Sequence, residues 1–422
     1  MTADPTADPE RELDDVAQLG PDAVAGPLAG IRVVDCSTVL AGPYCTMLLA
    51  DLGADVVKIE PPEGDATRGW GPPWVGDAAA GTRTAAYYLA VNRNKRSIRL
   101  DLRTDPGREI LRRLLTRGDV LVENYRAGGF ERLGFPEALL MTLNPSLVHL
   151  AIGGYGISGP DAAKPGYDFI VQAAGGLMSI TGEAGGPPLK IGVAMSDVVA
   201  GLFGTIAVLA GLLAKPRAGG QRIDVSLLQS TLAVLVNQAQ NAFVEGRAPG
   251  RLGNAHPNIV PYETFPTSDG TVAVAVGSER QWPRFCAALG VPELATNPRF
   301  ATNGDRVEHR AELIPILVTR FAGGTSDEWL GRLEAADVPA GPVLDVLEAF
   351  STPQAAAVGA RVPMTHPAVG AVDQVRSPFD FGATPATIRT PPPLLGEHSR
   401  AILAELGYNA AEIAALEASG VV

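Results

Sequence analysis

Cysteine is scarce in this chain of 422 residues, which contains only Cys36, Cys45 and Cys286. They form no CxxC pair and no cluster with histidine, so neither a disulfide framework nor a zinc site is indicated. Free cysteines of this kind are typical of a reducing cytoplasm, where we expect the protein to reside. Cys36 and Cys45 fall in a predicted strand and a predicted helix, and we expect both to be core residues.

Histidine is scarce too, and none of the five residues stands in a recognisable catalytic or metal-binding spacing. The chain has no GxxxxGK(S/T), HExxH or GxSxG segment, so ATP hydrolysis, zinc proteolysis and serine hydrolysis have no support. His149 lies in an apolar segment and is expected to be structural. Gly154–Gly159 fits GxGxxG, but Pro160 follows where a dinucleotide site needs a helix, so a plain glycine loop is predicted.

An excess of positive charge is missing as well, since the formal net charge is −12. Nucleic acid is therefore not expected as a partner, although a local basic cleft can still bind small anions. No basic segment followed by an apolar run opens the chain, so no signal peptide is predicted. The most apolar stretch, 198–214, is interrupted by glycine and shorter than the ~20 residues of a membrane span, which predicts a buried helix and no membrane.

The first half of the chain alternates short apolar strands with helices. Strands are predicted at 31–37, 54–60, 95–102, 119–125 and 147–154. Helices are predicted at 41–53 and at 104–118, the second capped by Thr104 and ended by Gly118. This alternation builds parallel sheets, so we predict a Rossmann-like open α/β domain.

At 422 residues the chain is too long for one ordinary core, and its composition divides it into four segments. Residues 1–26 form an acidic, proline-containing tail that is predicted to be disordered. A large α/β domain is predicted at 27–224, and a smaller α+β domain at 225–340 with a hairpin turn at Ser268–Gly270. Residues 341–422 are predicted to return to the large domain and to include a helix near 397–407.

Asp197 is the main candidate for chemistry. In KIGVAMSDVVAGLFG it follows an apolar segment and precedes small residues, so it lies at a predicted helix start. An aspartate there most often only caps the helix. A helix N-terminus would also stabilise its charge and orient it toward a cleft, so both interpretations stay open.

Basic residues cluster at 93–96 and 99–103. Such clusters are more often a solvated face than a phosphate site, and we expect Arg93, Lys95 and Arg96 on the surface.

Several segments occur together in a specific order and spacing, from about Gly30 to the C-terminus. They are LAGIRVVDCSTVLAGPYCTMLLADLGADVVKIEPPEGDATRGW, NKRSIRLDL, DVLVENYRAGGFERLGF, PGYDFIVQAAGG, the segment ending in Asp197, RLGNAHPNIVPYETFPTSDG, DVPAGPVLD and PPPLLGEHS. Together they resemble the class III CoA-transferases, the family that includes formyl-CoA transferase. The resemblance implies an interlocked homodimer, with the active site between the large domain of one chain and the small domain of its partner. It also implies CoA and acyl-CoA as substrates, with no metal and no tightly bound cofactor.

The resemblance assigns roles to individual residues. It implies that Asp197 is the nucleophile that carries CoA from an acyl-CoA donor to a free carboxylic acid, through an aspartyl mixed anhydride and an aspartyl-CoA thioester. It implies Arg103 and Arg132 as the phosphate partners, since guanidinium groups bind phosphate well. The implied CoA contacts are Val39, Leu40, Leu100, Asp101, Leu102, Arg103, Asn124, Tyr125, Arg126, Arg132, Pro165, Gly166, Tyr167 and Asp168.

The chain also departs from relatives within this resemblance. Leu40 stands where formyl-CoA transferase has glutamine, Pro61 stands where it has arginine, and its glycine-rich loop over oxalate is missing, so formyl-CoA and oxalate are not implied. Tyr167–Asp168 stands where the related α-methylacyl-CoA racemases have a His-Asp pair, which disfavours that activity. A racemase or isomerase and a non-catalytic acyl-CoA binding protein are the alternatives, and the donor and acceptor acids are left open.

Overall fold

The computed structural model describes residues 26–422. The predicted tail of residues 1–26 therefore lies outside the described residues, except for Gly26. Contacts divide the chain into two compact units. Unit 1 comprises the described residues up to Gly175 together with Gly192–Val236 and Ala357–Val422, and unit 2 comprises Gly176–Ile191 and Asn237–Ala356.

The strands are numbered along the chain. They are β1 (Arg32–Cys36), β2 (Asp55–Glu60), β3 (Trp74–Val75), β4 (Thr84–Ala85), β5 (Lys95–Arg99), β6 (Val120–Glu123), β7 (Val148–Gly153), β8 (Gln221–Ser226), β9 (Tyr262–Pro266), β10 (Thr271–Ala275), β11 (Ala340–Pro342), β12 (Arg361–Val362), β13 (Thr365–His366), β14 (Gly370–Ala371) and β15 (Gln374–Val375).

The α-helices are numbered in the same way, and 3₁₀ turns at Ala66–Gly69 and Leu177–Ile180 accompany them. They are α1 (Ala41–Asp51), α2 (Ala86–Leu89), α3 (Asp105–Arg117), α4 (Gly129–Arg132), α5 (Glu137–Leu143), α6 (Asp168–Ala174), α7 (Met195–Ala218), α8 (Leu227–Ala233), α9 (Val236–Glu245), α10 (Gln281–Leu289), α11 (Glu293–Thr296), α12 (Asn303–Glu308), α13 (Arg310–Phe321), α14 (Ser326–Ala335), α15 (Val346–Ser351), α16 (Pro353–Ala357), α17 (Ser399–Glu405) and α18 (Ala410–Ala418).

Unit 1 contains a six-stranded parallel sheet with the strand order β5-β2-β1-β6-β7-β8. Val33 of β1 lies opposite Val56 of β2 on one side and Val120 of β6 on the other. The central strands are buried on both faces, which is why they read as nearly unbroken apolar runs. The predicted Rossmann-like parallel sheet is confirmed. The sequence pattern misses β8, because Arg222 and Asp224 make this edge strand polar.

Local signals set the predicted helix α3 correctly. Thr104 Oγ1 accepts the N–H of Gly107 at 3.1 Å, and Gly118 occupies the C-cap position. Ile110 and Leu114 face the core. The prediction of Cys36 and Cys45 as core residues is also confirmed, since both are buried.

The basic residues of segment 93–96 do not all form the solvated face that the sequence predicts. Nη2 of Arg93 lies 2.6 Å from Oδ2 of Asp51, and both side chains are almost fully buried. Nζ of Lys95 lies 3.1 Å from Oδ2 of Asp35, and both of these are fully buried. The prediction is wrong for Arg93 and Lys95 because each has a buried counter-charge from a distant part of the chain.

Helix α7 is 24 residues long, which exceeds the predicted apolar stretch. Within residues 26–422 it is the one helix long and apolar enough to cross a membrane. One side of it packs against α1 and β7: a Cβ at Gly201 would lie 2.7 Å from the carbonyl oxygen of Ala41, and one at Gly211 would lie 2.8 Å from Val148. The other side exposes Leu213. The predicted buried helix is therefore buried on one side only.

Unit 2 contains a three-stranded antiparallel sheet with the order β11-β10-β9. Helices cover it through an aromatic core that includes Phe265, Phe321 and Trp329. The predicted hairpin is present, since the N–H of Thr267 donates to the carbonyl of Gly270 at 3.0 Å.

The limits of the two units differ from the predicted domain boundaries at 224–225 and 340–341. Helix α8 begins directly at the end of β8, where Ser226 caps it, so unit 1 continues to Val236. Strand β11 pairs with β10, so unit 2 continues beyond 340 to Ala356. Segment 176–191 also belongs to unit 2, which the sequence does not indicate.

Candidate active site

A cavity of about 320 Å³ opens in unit 1 at the carboxyl edge of the parallel sheet. The segments that line it follow the ends of β1, β6, β7 and β8, beside the point between β1 and β6 where the strand order reverses. Open α/β sheets bind ligands at this place. The cavity is lined by residues 38–41, 123–131, 151–158 and 164–167 with Phe135, His149, Ala162, Asp197, Arg222, Asp224, Val225, Leu227 and Gln229.

The turn after β1 enters the cavity in a strained conformation. Val39 has φ 71°, a left-handed value that β-branched residues rarely adopt. Asn124 holds the preceding residue, because its Oδ1 accepts the N–H of Thr38 at 2.9 Å and its Nδ2 donates to the carbonyl of Thr38 at 2.7 Å. The N–H of Val39 donates to Asp65 at 3.4 Å, and Asp65 pairs with the buried Lys58 at 2.9 Å. Two segments with predicted CoA contacts are therefore bound to each other.

The loop after β7 is held by a contact between two glycines. A Cβ at Gly154 would lie 2.6 Å from the Cα of Gly166, and a Cβ at Gly166 would lie 2.3 Å from the Cα of Gly154. Only glycine permits backbones to approach so closely. The predicted plain glycine loop is confirmed, since α6 begins only at Asp168.

Asp197 is the third residue of α7, and Ala194 occupies the N-cap position. The alternative in which Asp197 only caps the helix is therefore wrong. Its position puts the carboxylate, which lines the cavity, at the positive end of a long helix. Burial, and after it the charge of Asp168, raises the pKa of Asp197 to about 7.

Asp168 fixes the start of α7. Its Oδ1 accepts the N–H of Ser196 at 2.9 Å, and its two oxygens lie 3.0 and 2.9 Å from Nε2 of the buried Gln172. Thr231 of α8 donates to Oγ of Ser196 at 2.9 Å. Asp168 thus holds the residue next to Asp197 and places a second negative charge near it.

The structure brings some of the predicted site residues together and leaves others apart. Arg103 is exposed and pairs with Asp101 at 2.8 Å, while Leu100 and Leu102 are buried in the core. Segment 100–103 follows β5, two strands away from β1. The predicted residues that line the cavity are Val39, Leu40, Asn124, Tyr125, Arg126, Pro165, Gly166, Tyr167 and Asp197. Those outside its lining are Leu100, Asp101, Leu102, Arg103, Arg132 and Asp168.

Sequence reasoning missed several residues around this cavity. His149, Arg222 and Asp224 line it, although none of them stands in a recognisable motif. Burial, followed by the charges of Asp197 and Asp168, raises the pKa of Tyr87, so this phenol shares their electrostatic environment. A strand pattern at 221–226 could have indicated Arg222, but the polar residues of β8 hide that pattern.

Comparison with known proteins identifies the family. The model of CoA-transferase family III matches residues 28–399. This chain belongs to CoA-transferase family III. It is accordingly a CoA-transferase, and CoA is its substrate. The cavity at the sheet edge, with Asp197 in its lining, is the candidate active site of this chain.

Relatives and solved structures of this family cover most of the chain. A succinate–glutarate CoA-transferase from Agrobacterium fabrum is 45% identical over 382 residues, which is 90% of this chain and 96% of the relative. A human succinyl-CoA:glutarate CoA-transferase is 40% identical over 399 residues, 94% of this chain and 90% of the relative. The crystal structure of a CAIB/BAIF family protein from Brucella suis matches with a TM-score of 0.80 at 43% identity, covering 90% of this chain and 100% of that one.

Proposed function

We propose that this enzyme transfers CoA between dicarboxylic acids, with Asp197 as a covalent nucleophile. The observation that carries the proposal is the place of Asp197, whose carboxylate lines the cavity from the first turn of α7. Within residues 26–422, the charged group that shifts the pKa of Asp197 is a second carboxylate, Asp168. Asp35 and Asp51, by contrast, are each neutralised by a buried basic side chain.

The reaction proceeds in four exchanges at the Asp197 carboxyl group. An oxygen of Asp197 attacks the thioester carbonyl carbon of the donor, the C–S bond breaks, and CoA leaves as a thiolate from a mixed anhydride. The thiolate attacks the Asp197 carbonyl carbon and releases the donor acid as a carboxylate, which leaves an aspartyl-CoA thioester. The acceptor carboxylate attacks that thioester to form a second anhydride and frees the thiolate again. The thiolate then attacks the acceptor carbonyl and restores Asp197.

The environment of Asp197 suits this chemistry. A carboxylate with a pKa of about 7 is more basic than an ordinary aspartate and is ionised above that pH, so it is the stronger nucleophile once its proton is lost. The first amides of α7 have no helical acceptors and favour negative charge at this end of the helix. One thioester forms as another breaks, so the proposed exchange requires neither ATP nor a metal.

We assign CoA binding to the strained turn at Val39–Leu40, to segment 124–126 and to segment 165–167, which all line the cavity. Arg103 and Arg132 are exposed guanidinium groups and are assigned to the CoA phosphates. Segment 100–102 supports Arg103, because Leu100 and Leu102 are anchored in the core.

The dicarboxylic substrates are inferred from the relatives, whose names give succinate and glutarate. We propose succinyl-CoA as the donor and a five-carbon dicarboxylate as the acceptor. We also propose a homodimer, since α6 and α7 expose Phe169, Ile206 and Leu213, which is unusual on a monomer surface.

Trapping the intermediate tests the mechanism. The purified enzyme is incubated with a panel of acyl-CoA thioesters, treated with hydroxylamine or borohydride, and examined by mass spectrometry of the intact chain and its peptides. We expect a thioester-dependent adduct or reduction on the Asp197 peptide, strongest with succinyl-CoA and absent in Asp197→Ala. Solvent deuterium uptake at the acyl α-carbon without an adduct would point instead to a racemase, and CoA binding without either result would point to a binding protein.

A further inference from the structure

Four ionisable side chains that the proposed reaction does not use lie together: His149 on β7, Glu123 on β6, Glu137 on α5 and Arg222 on β8. All of them except Glu137 line the cavity. His149 is 1% exposed and lines the cavity. Its Nδ1 lies 2.9 Å from Oε2 of Glu137. Its Nε2 lies 3.7 Å from Oε1 of Glu123 and has no hydrogen-bond partner within residues 26–422. The imidazole therefore stands between two carboxylates.

Glu123 connects this imidazole to the loop with predicted CoA contacts. Its Oε2 accepts the N–H of Tyr125 at 2.7 Å. The intervening residue, Asn124, makes the paired hydrogen bonds to Thr38 that hold the strained turn after β1. A displacement of Glu123 would thus be transmitted to both segments through three short hydrogen bonds.

The charges around His149 favour its protonated form. Glu123 and Glu137 face it from β6 and α5, and Arg222 of β8 lies 3.7 Å from Glu137 and pairs with Asp224 at 2.9 Å. The uncharged ring of Phe130 also lies near His149, at a centroid distance of 6.3 Å. Burial lowers the pKa of His149, but the two carboxylates outweigh burial and raise it above its ordinary value.

We propose that charged His149 is a positioning residue for CoA: it attracts Glu123 and thereby fixes segment 124–125 and, through Asn124, the turn at 38–40. This inference rests on the proposed CoA site in the cavity. When His149 loses its proton, the attraction to Glu123 is lost and the two segments are held less firmly. CoA affinity therefore falls as pH rises through the pKa of His149, and by reciprocity bound CoA raises that pKa.

Calorimetric titration with CoA itself measures the first effect, from about pH 6.5 to about pH 9. It is carried out in Asp197→Asn protein, because Asp197 titrates near neutral pH in the same cavity. We expect binding to weaken on the order of fivefold across the transition. His149→Gln should bind with the weaker affinity at every pH. Glu137→Gln should move the transition to lower pH, which the loss of a merely structural contact would not do.

His366→Gln is the matched control. His366 is 2% exposed, lies 3.6 Å from a carboxylate oxygen of Glu397 in the same unit, and is outside the cavity lining. This variant should keep the full pH dependence of CoA binding.

Nuclear magnetic resonance of the histidine side chains gives a second readout that survives if His149→Gln does not fold. The chain has five histidines, so the ring signal of His149 is assignable, and we expect added CoA to raise its pKa. CoA affinity that is independent of pH, or a His149 pKa that does not change when CoA is added, would overturn the His149 proposal. Either result would leave the Asp197 mechanism intact. A wild-type protein without CoA affinity at any pH would overturn both.

Discussion

Two aspartates of unit 1 stand in opposite electrostatic environments. Burial alone would raise the pKa of Asp35, but Lys95 and Lys58, with hydrogen bonds from Ser37 and Thr46, outweigh it and hold the pKa at about 2. Burial also raises the pKa of Asp197, and its charged neighbour Asp168 adds to the rise, so the value reaches about 7. Near neutral pH, Asp35 is thus kept ionised, whereas Asp197 is close to its pKa.

The difference teaches which carboxylate serves the fold and which is available for reaction. Asp35 accepts hydrogen bonds on both oxygens and pairs with Lys95 at 3.1 Å, so its negative charge is balanced by interactions that stabilise the fold. Asp197 faces the cavity beside a like charge, which destabilises its ionised form. Perturbed carboxylates of the second kind are characteristic of functional sites.

The largest effect is expected when the buried pair of Asp35 is broken. Asp35→Asn keeps the shape of the side chain but leaves Lys95 without its counter-charge, so the free energy of unfolding should fall by about 3–5 kcal/mol. Guanidinium unfolding near neutral pH measures it. Asp55→Asn is the control, because Asp55 pairs with Arg96 on the same sheet while both remain partly exposed. It should cost no more than about 1 kcal/mol, and equal losses for the two variants would contradict the comparison.

Removal of the charge at Asp197 should increase the free energy of unfolding, whereas removal of the charge at Asp35 should decrease it. The unfolded chain releases this proton near the ordinary value of 3.8 and the folded protein only near 7, so the folded state binds more protons between the two. Wild-type stability therefore falls as pH rises through this window. We expect Asp197→Asn to be more stable than wild type by about 4 kcal/mol above pH 7 and by less than about 1 kcal/mol near pH 4. Unfolding at both pH values measures this, and a constant difference would rule it out.

The difference between the pKa values of Asp35 and Asp197 also depends on how closely α7 packs against its neighbours. Gly201→Ala would place a Cβ 2.7 Å from the carbonyl oxygen of Ala41, so α7 must shift. We expect a loss of about 1–2 kcal/mol in the free energy of unfolding, together with a lower pKa for Asp197 as it gains solvent. Gly331→Ala on α14 is the control, because nothing lies within 4 Å of its Cβ. It should stabilise by about 0.5–1 kcal/mol, and a loss there equal to that of Gly201→Ala would show that packing is not the cause.

The sequence predicts features whose causes are local. Apolar runs predict the central strands, and Thr104 and Gly118 predict the ends of α3, because neighbouring residues determine both. The sequence identifies Asp197 as a candidate for catalysis, but it does not fix where the helix begins. Because α7 begins at Met195, Asp197 lies in the first turn and not at the N-cap position. Such a shift lies within the uncertainty of helix boundaries read from sequence.

The rest of the site depends on contacts between distant residues. The buried Arg93 pairs with the carboxylate of Asp51. The backbone of Thr38 is hydrogen-bonded to the side-chain amide of Asn124, which lies 86 residues further along the chain. Neither pair has a local signal. The left-handed Val39 would even be predicted as extended, because valine favours strands.

The smallest effect tests the role of Asp168 in the contrast. Asp168→Asn keeps an oxygen for the N–H of Ser196 but removes the negative charge that raises the pKa of Asp197 after burial. In wild type the rate of aspartyl adduct formation should fall about tenfold for each pH unit below about 7, because only the ionised carboxylate attacks. The variant should move this limb to lower pH and form the adduct about two- to threefold faster near pH 6. Quenched-flow mass spectrometry over the pH range measures the limb. A limb that does not move would mean that burial alone separates Asp197 from Asp35, and a loss of adduct at every pH would mean that Asp168 serves chiefly to hold the start of α7.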